Sequence, residues 1–256
     1  MAQSGFHGIL GLAVARAVSG GSSKAGSSAS DSASERGETS KSGSKPELKK
    51  ATIFGFVLGN ILPDADLLPL AITFLFDSRL AMRMHRTATH SLVVIVPLML
   101  LGWLFLRGRG KGMALGLGVG AITHSVLDIF LWFSPVDLLW PLGSWGIPSV
   151  VNLWAGVETG RVAGNFLGAL DYLAFALYFG FLAKMARARE TNVDFLPKLR
   201  VFTVLNLAFF AVYAALSFAL SKALFEIAHY AMFVLVFFPI AVYTTVKMRS
   251  TIEAIV

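Results

Sequence analysis

Two long apolar runs, Val201 to Leu220 and Ile227 to Val246, constrain this chain more than any other feature, because neither contains an Asp, Glu, Lys or Arg. Each is about 20 residues, and at about 1.5 Å per residue each crosses a hydrocarbon core as a helix. The remaining composition points the same way. With 55% hydrophobic and 14% charged residues and a mean hydropathy of +0.69, the 256 residues offer too little polar surface to cover a soluble globule. The chain reads as an all-α, polytopic membrane helical bundle.

About seven apolar helical segments are expected, at roughly 6–18, 51–62, 89–106, 113–133, 162–183, 201–220 and 227–246, the first two short for spans. The organisation that follows is a first apolar helix with His7 (1–18), a loop (19–50), a metal-site helical core (51–161) and C-terminal membrane helices (162–256). The loop holds eleven serines and five glycines and hardly an apolar side chain, so it is expected to be disordered. The stretch LPDADLLPLAITFLF, Leu62 to Phe76, is expected to turn at the bilayer surface or re-enter it. The amino terminus lacks the leading positive charges and cleavage site of a signal peptide and is read as a retained helix. With no cysteine, disulfides and thiolate metal sites are excluded.

Alternating crossings put Arg79, Arg83, Arg86, Arg161 and Lys222 on one side and the other 17 of 22 basic residues opposite. Cytoplasmic loops collect positive charge, so the basic side is predicted cytoplasmic. The sequence pI of about 9.8 is then a topological signal, and no nucleic-acid partner is expected.

The same crossings carry His7, Asp64, Asp66, His85, His90, His124 and Asp128 toward the face opposite the basic loops. Four of the five histidines belong to this set. In THSVLD, Thr123 to Asp128, a four-residue separation sets His124 and Asp128 about 40° apart on a helix, within reach of one ion. The alternative is a hydrogen-bonded pair; burial in an apolar helix favours function, since intramembrane ionisable groups are expensive. LPDAD supplies two carboxylates that point to different sides, one able to bind metal and the other to bridge ions or orient a histidine; a polar helix-end turn is the alternative. In HRTATHSL, His85 belongs to the loop and His90 to the first turn of the next helix. Arg86 between them either seats an anion such as phosphate or anchors the interface. Imidazole and carboxylate suit zinc, and manganese or iron would also be admitted.

Asp171, midway through a span, and the Glu226/His229 pair are weaker candidates, read as polar interhelical and interfacial contacts. Trp140 near a span end is an interfacial anchor, and GLGVGA (Gly116 to Ala121) reads as close helix packing through small residues. HExxH and GxSxG are both absent.

The ordered set of an early His, LPDAD, HRTATHSL, THSVLD and LLWPL (Leu138 to Leu142) resembles the LexA-regulated, YdjM-like family of membrane-bound metal-dependent hydrolases over roughly residues 1–145. Thr87 departs from that family's usual glycine. The resemblance implies metal-site roles for His7, Asp64, Asp66, His85, His90, His124 and Asp128. A more distant similarity to bacterial zinc-dependent phospholipases C suggests a phosphoester substrate, with their second HxxxE element missing, since Phe233 follows His229 by four residues. The expectation is a multi-pass enzyme of a prokaryotic cytoplasmic (inner) membrane that attacks a lipid-type phosphoester with metal-activated water on the extracytoplasmic side. The favoured ligands are His7, Asp66, His85 or His90, His124 and Asp128, with Asp64 outside them or accepting the proton and Arg86 steadying negative charge. A metal or proton transporter and a noncatalytic scaffold with a structural metal are the alternatives.

Overall fold

The computed structural model of the chain describes residues 4–24, 44–77, 80–81, 84–131 and 135–256. Among these residues the protein is helical apart from turns and the irregular connection 135–160, which carries one pair of two-residue strands. In chain order the helices are α1 (Ser4–Lys24), α2 (Ser44–Gly59), α3 (Leu67–Phe76), α4 (Leu92–Phe105), α5 (Arg109–Leu131), α6 (Arg161–Arg189), α7 (Leu196–Ala219), α8 (Lys222–Met232), α9 (Phe238–Lys247) and α10 (Arg249–Glu253). A π-turn, Phe233–Phe237, joins α8 to α9. Two-residue strands β1 (Val136–Asp137) and β2 (Val150–Val151) pair antiparallel between α5 and α6.

Among the described residues, four helical stretches are long and apolar enough to cross a membrane: Arg109–Leu131, Arg161–Arg189, Val193–Ala219 and Lys222–Lys247. A fifth is reached if Lys45–Gly59 and Leu62–Thr73, bent by 50° at their junction, are taken as one broken span. The seven apolar segments expected from the sequence all fall on helices, and four or five of the helical stretches meet the length and composition of a span. The 14 residues of α4 extend only about 21 Å, short of a hydrocarbon core of about 30 Å, and α1 is diluted by serines, glycines and an arginine. The bend falls where LPDAD was expected to turn, because Pro63 cannot continue the α2 hydrogen-bond ladder and opens a 3-10 turn, Leu62–Asp66.

The expected disordered loop is shorter than the sequence indicated: 19–24 continue α1 and 44–50 begin α2, and the remainder lies outside the described residues. Glu47 explains the second boundary. It pairs with Lys50 one turn on at 3.0 Å and with Arg109 at the start of α5. Arg109 in turn reaches Glu253 at 2.5 Å, tying the C-terminal helix to the same basic end of the bundle.

Helix α6 forms the centre of the core, with Tyr172, Phe175, Tyr178 and Phe179 all at most 1% exposed. It packs along α1 and α7, while α2 and α4 pack along α5. The α2/α5 contact is backbone on backbone. A Cβ on Gly116 would meet the Thr52 carbonyl, one on Gly120 the Phe56 carbonyl, and one on Gly59 the Leu117 carbonyl. Only hydrogen in place of a side chain allows this approach, as is usual where transmembrane helices pack through small residues. Gly112, Gly116, Gly120, His124 and Asp128 follow one another at intervals of four on α5, so the ridge that touches α2 continues directly into the polar residues.

Candidate metal centre

At the end of the bundle opposite Arg109, four elements converge. The 3-10 turn after α2 directs Asp64 inward, where it is 1% exposed, and leaves Asp66 facing the loop before α4. Asp66 organises that loop: Oδ1 accepts from His85 Nδ1 (2.9 Å), and Oδ2 accepts from the Arg86 amide (3.2 Å) and the Thr89 hydroxyl (3.0 Å). Arg86 adopts φ 65°, a left-handed conformation that costs a non-glycine residue about 1–2 kcal/mol and is held by these bonds. The loop closes with a 3-10 turn, Ala88–His90, and Ser91 caps α4 by accepting from Val93 N.

The hydrogen bonds fix which way the histidines point. His124 Nδ1 donates to the Asn60 carbonyl at 2.8 Å. His90 Nδ1 meets the Thr89 hydroxyl at 3.0 Å; that hydroxyl gives its proton to the Asp66 carboxylate, so the imidazole is the donor. Both Nε2 lone pairs then face each other at 3.1 Å. The carboxylates close in on the same point. Asp64 Oδ1 lies 4.0 Å from His90 Nε2 and 3.6 Å from His124 Nε2, and Asp128 Oδ2 lies 3.5 and 3.9 Å from the same two atoms. These five separations, 3.1 to 4.0 Å, are of the order of the roughly 3.3 Å between donors on a tetrahedral ion with bonds of about 2.0–2.1 Å, so either carboxylate can share an ion with the two imidazoles. Acceptors this close repel one another unless a proton or a cation lies among them.

Helix α1 completes the cluster. His7 Nε2 is 2.9 Å from Asp128 Oδ1, and its ring stacks on His124 with centroids 3.8 Å apart. Ser4 donates to Asp64 Oδ2 at 2.5 Å, and the Gly5 amide donates to Asp171 Oδ1 at 3.2 Å. Two groupings can hold an ion: His7, His124 and Asp128, and Asp64, His90 and His124. They share His124 Nε2, whose single lone pair serves one ion, so they describe alternative seats in one centre.

Burial makes the charge balance consequential. Arg86 is 3% exposed and its Nε lies 2.9 Å from Asp128 Oδ2. With neutral histidines, Asp64, Asp66 and Asp128 outweigh Arg86 by two charges, the deficit one divalent cation fills. Buried charge without a partner is costly. Burial pushes the His90 imidazole down to about 4, keeping it in the neutral form a metal requires. Donors of this kind, imidazole nitrogens and carboxylate oxygens, fit zinc and would also accept manganese or iron.

All the sequence candidates from His7 to Asp128 are therefore brought together, with the LPDAD carboxylates in exchanged places: Asp64 is among the acceptors and Asp66 orients His85, Arg86 and Thr89. Arg86 is paired to Asp128 inside the cluster and is not an interfacial anchor. Asp171 makes an interhelical contact to Gly5, while His229 is enclosed by the rings of Tyr172, Tyr213, Phe225 and Phe233. Glu226 is half-buried beside it on α8. Sequence reasoning missed Asn60, Thr89 and Ser4. Thr89, between the two histidines of the HRTATHSL motif, was the one with a visible signal.

No curated protein and no solved structure matches the chain. The family described as YdjM inner membrane protein matches residues 1–248, well past residue 145 where the motif resemblance ended, so the C-terminal helices are part of the family fold as well. With apolar helices long enough to span a bilayer and this match along almost its whole length, the chain belongs to the YdjM inner membrane protein family.

Proposed function

We propose that the protein is a membrane-bound metal-dependent hydrolase acting on a phosphoester-type substrate. The observation that carries this reading is a set of converging acceptor atoms: two imidazole nitrogens 3.1 Å apart, whose rings spend their protons on Asn60 and Thr89, and a carboxylate oxygen from each of Asp64 and Asp128 within 4.0 Å of both. His90, His124, Asp64 and Asp128 would hold a divalent ion, which supplies Lewis acidity that acidifies water and polarises a scissile bond. His7 steadies Asp128 and stacks on His124. Asp66 fixes His85 through Nδ1, leaving His85 Nε2 without a partner among the described residues and with a lone pair for the proton of an attacking water. Arg86, the cation of the cluster, offsets negative charge developing on the phosphoester oxygens.

A transporter would need polar groups to continue toward the basic end. Below Asp171 on α6, the next polar group on that face is Tyr178, about 10 Å along the helix, with Ala174 and Phe175 between them at 7% and 1% exposure. That apolar break favours hydrolysis at one face over passage through the bundle.

The test is made on purified full-length protein. Elemental analysis should give one ion per chain, and bis(p-nitrophenyl) phosphate or phospholipid vesicles should be hydrolysed by the metal-loaded protein and not by His124→Ala. Metal uptake into proteoliposomes without hydrolysis would replace this reading with transport. Bound metal with neither activity would leave a structural ion.

A further inference from the structure

The segment between α5 and α6 differs in composition from the turn between α6 and α7 and its flanks. From Leu138 to Val157 it runs for 20 residues without one Asp, Glu, Lys or Arg, and it carries three of the five tryptophans. At the opposite end, the last turns of α6, the short turn after it and the first turn of α7 contain Lys184, Arg187, Arg189, Glu190, Asp194, Lys198 and Arg200. A chain in water rarely leaves large side chains bare without a polar neighbour, yet here Trp145 is 72% exposed, Val150 59%, Leu153 55% and Ile147 45%. These are not side chains awaiting a core, because the backbone beneath them is already fixed. Strands β1 and β2 pair, Gly146 turns the chain at φ 81°, and Trp154 Nε1 donates to the Phe130 carbonyl at the end of α5.

The segment also lies back against the bundle. Asp137 N donates to the Arg86 carbonyl (3.1 Å), Leu92 N to the Leu138 carbonyl (2.8 Å) and Ser91 Oγ to the Trp140 carbonyl (2.7 Å). Its base is thus bonded directly to the turn that carries His85, Arg86 and His90, at the level where α4 begins. The apolar surface of the spanning helices, exposed at Val204 and Leu205 of α7 for example, meets lipid. At the metal-centre end the 138–157 surface carries the same kind of side chain to the edge of the bundle, with tryptophans where a bilayer gives way to headgroups.

We infer that residues 138–157 form a platform seated in the lipid leaflet on the metal-centre side, with their exposed apolar side chains at the boundary between headgroups and acyl chains. The occupant of this surface is membrane lipid. The platform fixes the His85–Ser91 turn at headgroup depth, whatever reaction takes place there, and so stands apart from the proposed hydrolysis.

The absence of native cysteine makes the test direct. Spin labels are placed on Trp145→Cys and Leu153→Cys, on Leu205→Cys as a lipid-facing reference and on Glu190→Cys as an aqueous one. The full chain is reconstituted in phosphatidylcholine/phosphatidylglycerol vesicles. Power saturation with oxygen and with a water-soluble nickel chelate should give oxygen-dominated relaxation at 145 and 153, as at 205, and nickel-dominated relaxation at 190. Nickel-dominated relaxation at 145 and 153 overturns the inference. So does low access to both reagents with spin–spin broadening, which puts a second copy there in place of lipid. The unsubstituted protein provides a measurement free of folding effects: lipids brominated high in the acyl chain should quench its tryptophan emission more than lipids brominated near the bilayer centre, and no quenching by either refutes lipid contact.

Discussion

Replacing Asp66 by Asn separates the two carboxylates of LPDAD by role. Asp66 is not among the four facing acceptors; it acts through Oδ1 on His85 Nδ1 and through Oδ2 on the Arg86 amide and the Thr89 hydroxyl. An amide can present its oxygen to only one of these sides, so the other meets an NH2 group, donor against donor. If the Thr89 side loses its acceptor, the hydroxyl turns toward His90 Nδ1, 3.0 Å away, and the imidazole proton moves to Nε2, where it blocks the lone pair. Losing such an outer partner typically lowers metal affinity about 10- to 100-fold, which is about 1.4–2.7 kcal/mol at 1.36 kcal/mol per decade. Asp64→Asn removes a donor itself. Taking a quarter of the roughly 10–16 kcal/mol typical of a four-ligand zinc site, its loss is about 2.5–4 kcal/mol, on the order of 100- to 1,000-fold. The assay is competition for zinc against a chromophoric chelator on detergent-purified protein, with cobalt substitution to read coordination. Asp66→Asn should retain the tetrahedral cobalt spectrum at weakened affinity, and Asp64→Asn should change the spectrum. Equal losses with equal spectral change, or a larger loss from Asp66→Asn, would refute the assignment of inner and outer roles.

Three further outcomes follow from the same geometry. His124→Ala and Asp128→Ala should each strip bound metal, whereas Asp171→Asn and His229→Ala, which contact other groups, should leave elemental content close to one ion per chain. Gly116→Val forces a side chain against the Thr52 backbone and should cost about 1–3 kcal/mol or more, seen as a lower Tm with weakened metal binding, while Gly180→Ala, where a Cβ meets nothing within 4 Å, should be neutral. The asymmetry of basic residues predicts that, in intact cells, a Glu158→Cys variant reacts with an impermeant maleimide from outside and a Glu190→Cys variant only after permeabilisation; the reverse pattern would invert the orientation.

How much of this was legible in the sequence depended on whether spacing alone decides geometry. The His124/Asp128 interval is read off a regular helix, and the glycine spacing before it points to close packing for the same reason. LPDAD was harder, because the direction of each carboxylate depends on the 3-10 turn that Pro63 opens, and a turn's local period is not visible in five letters. An apolar run does not by itself say whether a helix crosses a bilayer: α4 is apolar throughout but only 14 residues long, and α1 is 21 residues long but diluted by serines, glycines and an arginine. Asn60 acts through its backbone carbonyl, which carries no side-chain signature. The left-handed turn at Arg86 was hidden because it is imposed by partners 20 and 51 positions away, Asp66 and Asp137.

The ridge of α5 that begins with Gly112 and ends with Asp128 has one more consequence. Its glycines let two backbones touch, so there is no flexible side chain between α2 and α5 to absorb a relative slide. His124 sits on that ridge and is bonded to Asn60 at the end of the facing helix, so a slip of one step removes its partner and its aim together. Register and occupancy of the cluster are then a single equilibrium. Whatever binds among the four acceptors tightens the helix pair by the same free energy with which the correct register favours binding, about 2.7 kcal/mol when the ligand stands at 100 times its Kd. Mechanical strain on the bundle and chemical saturation of its end are interchangeable inputs, and a membrane that stretches or thins around these helices would be felt as a change in affinity.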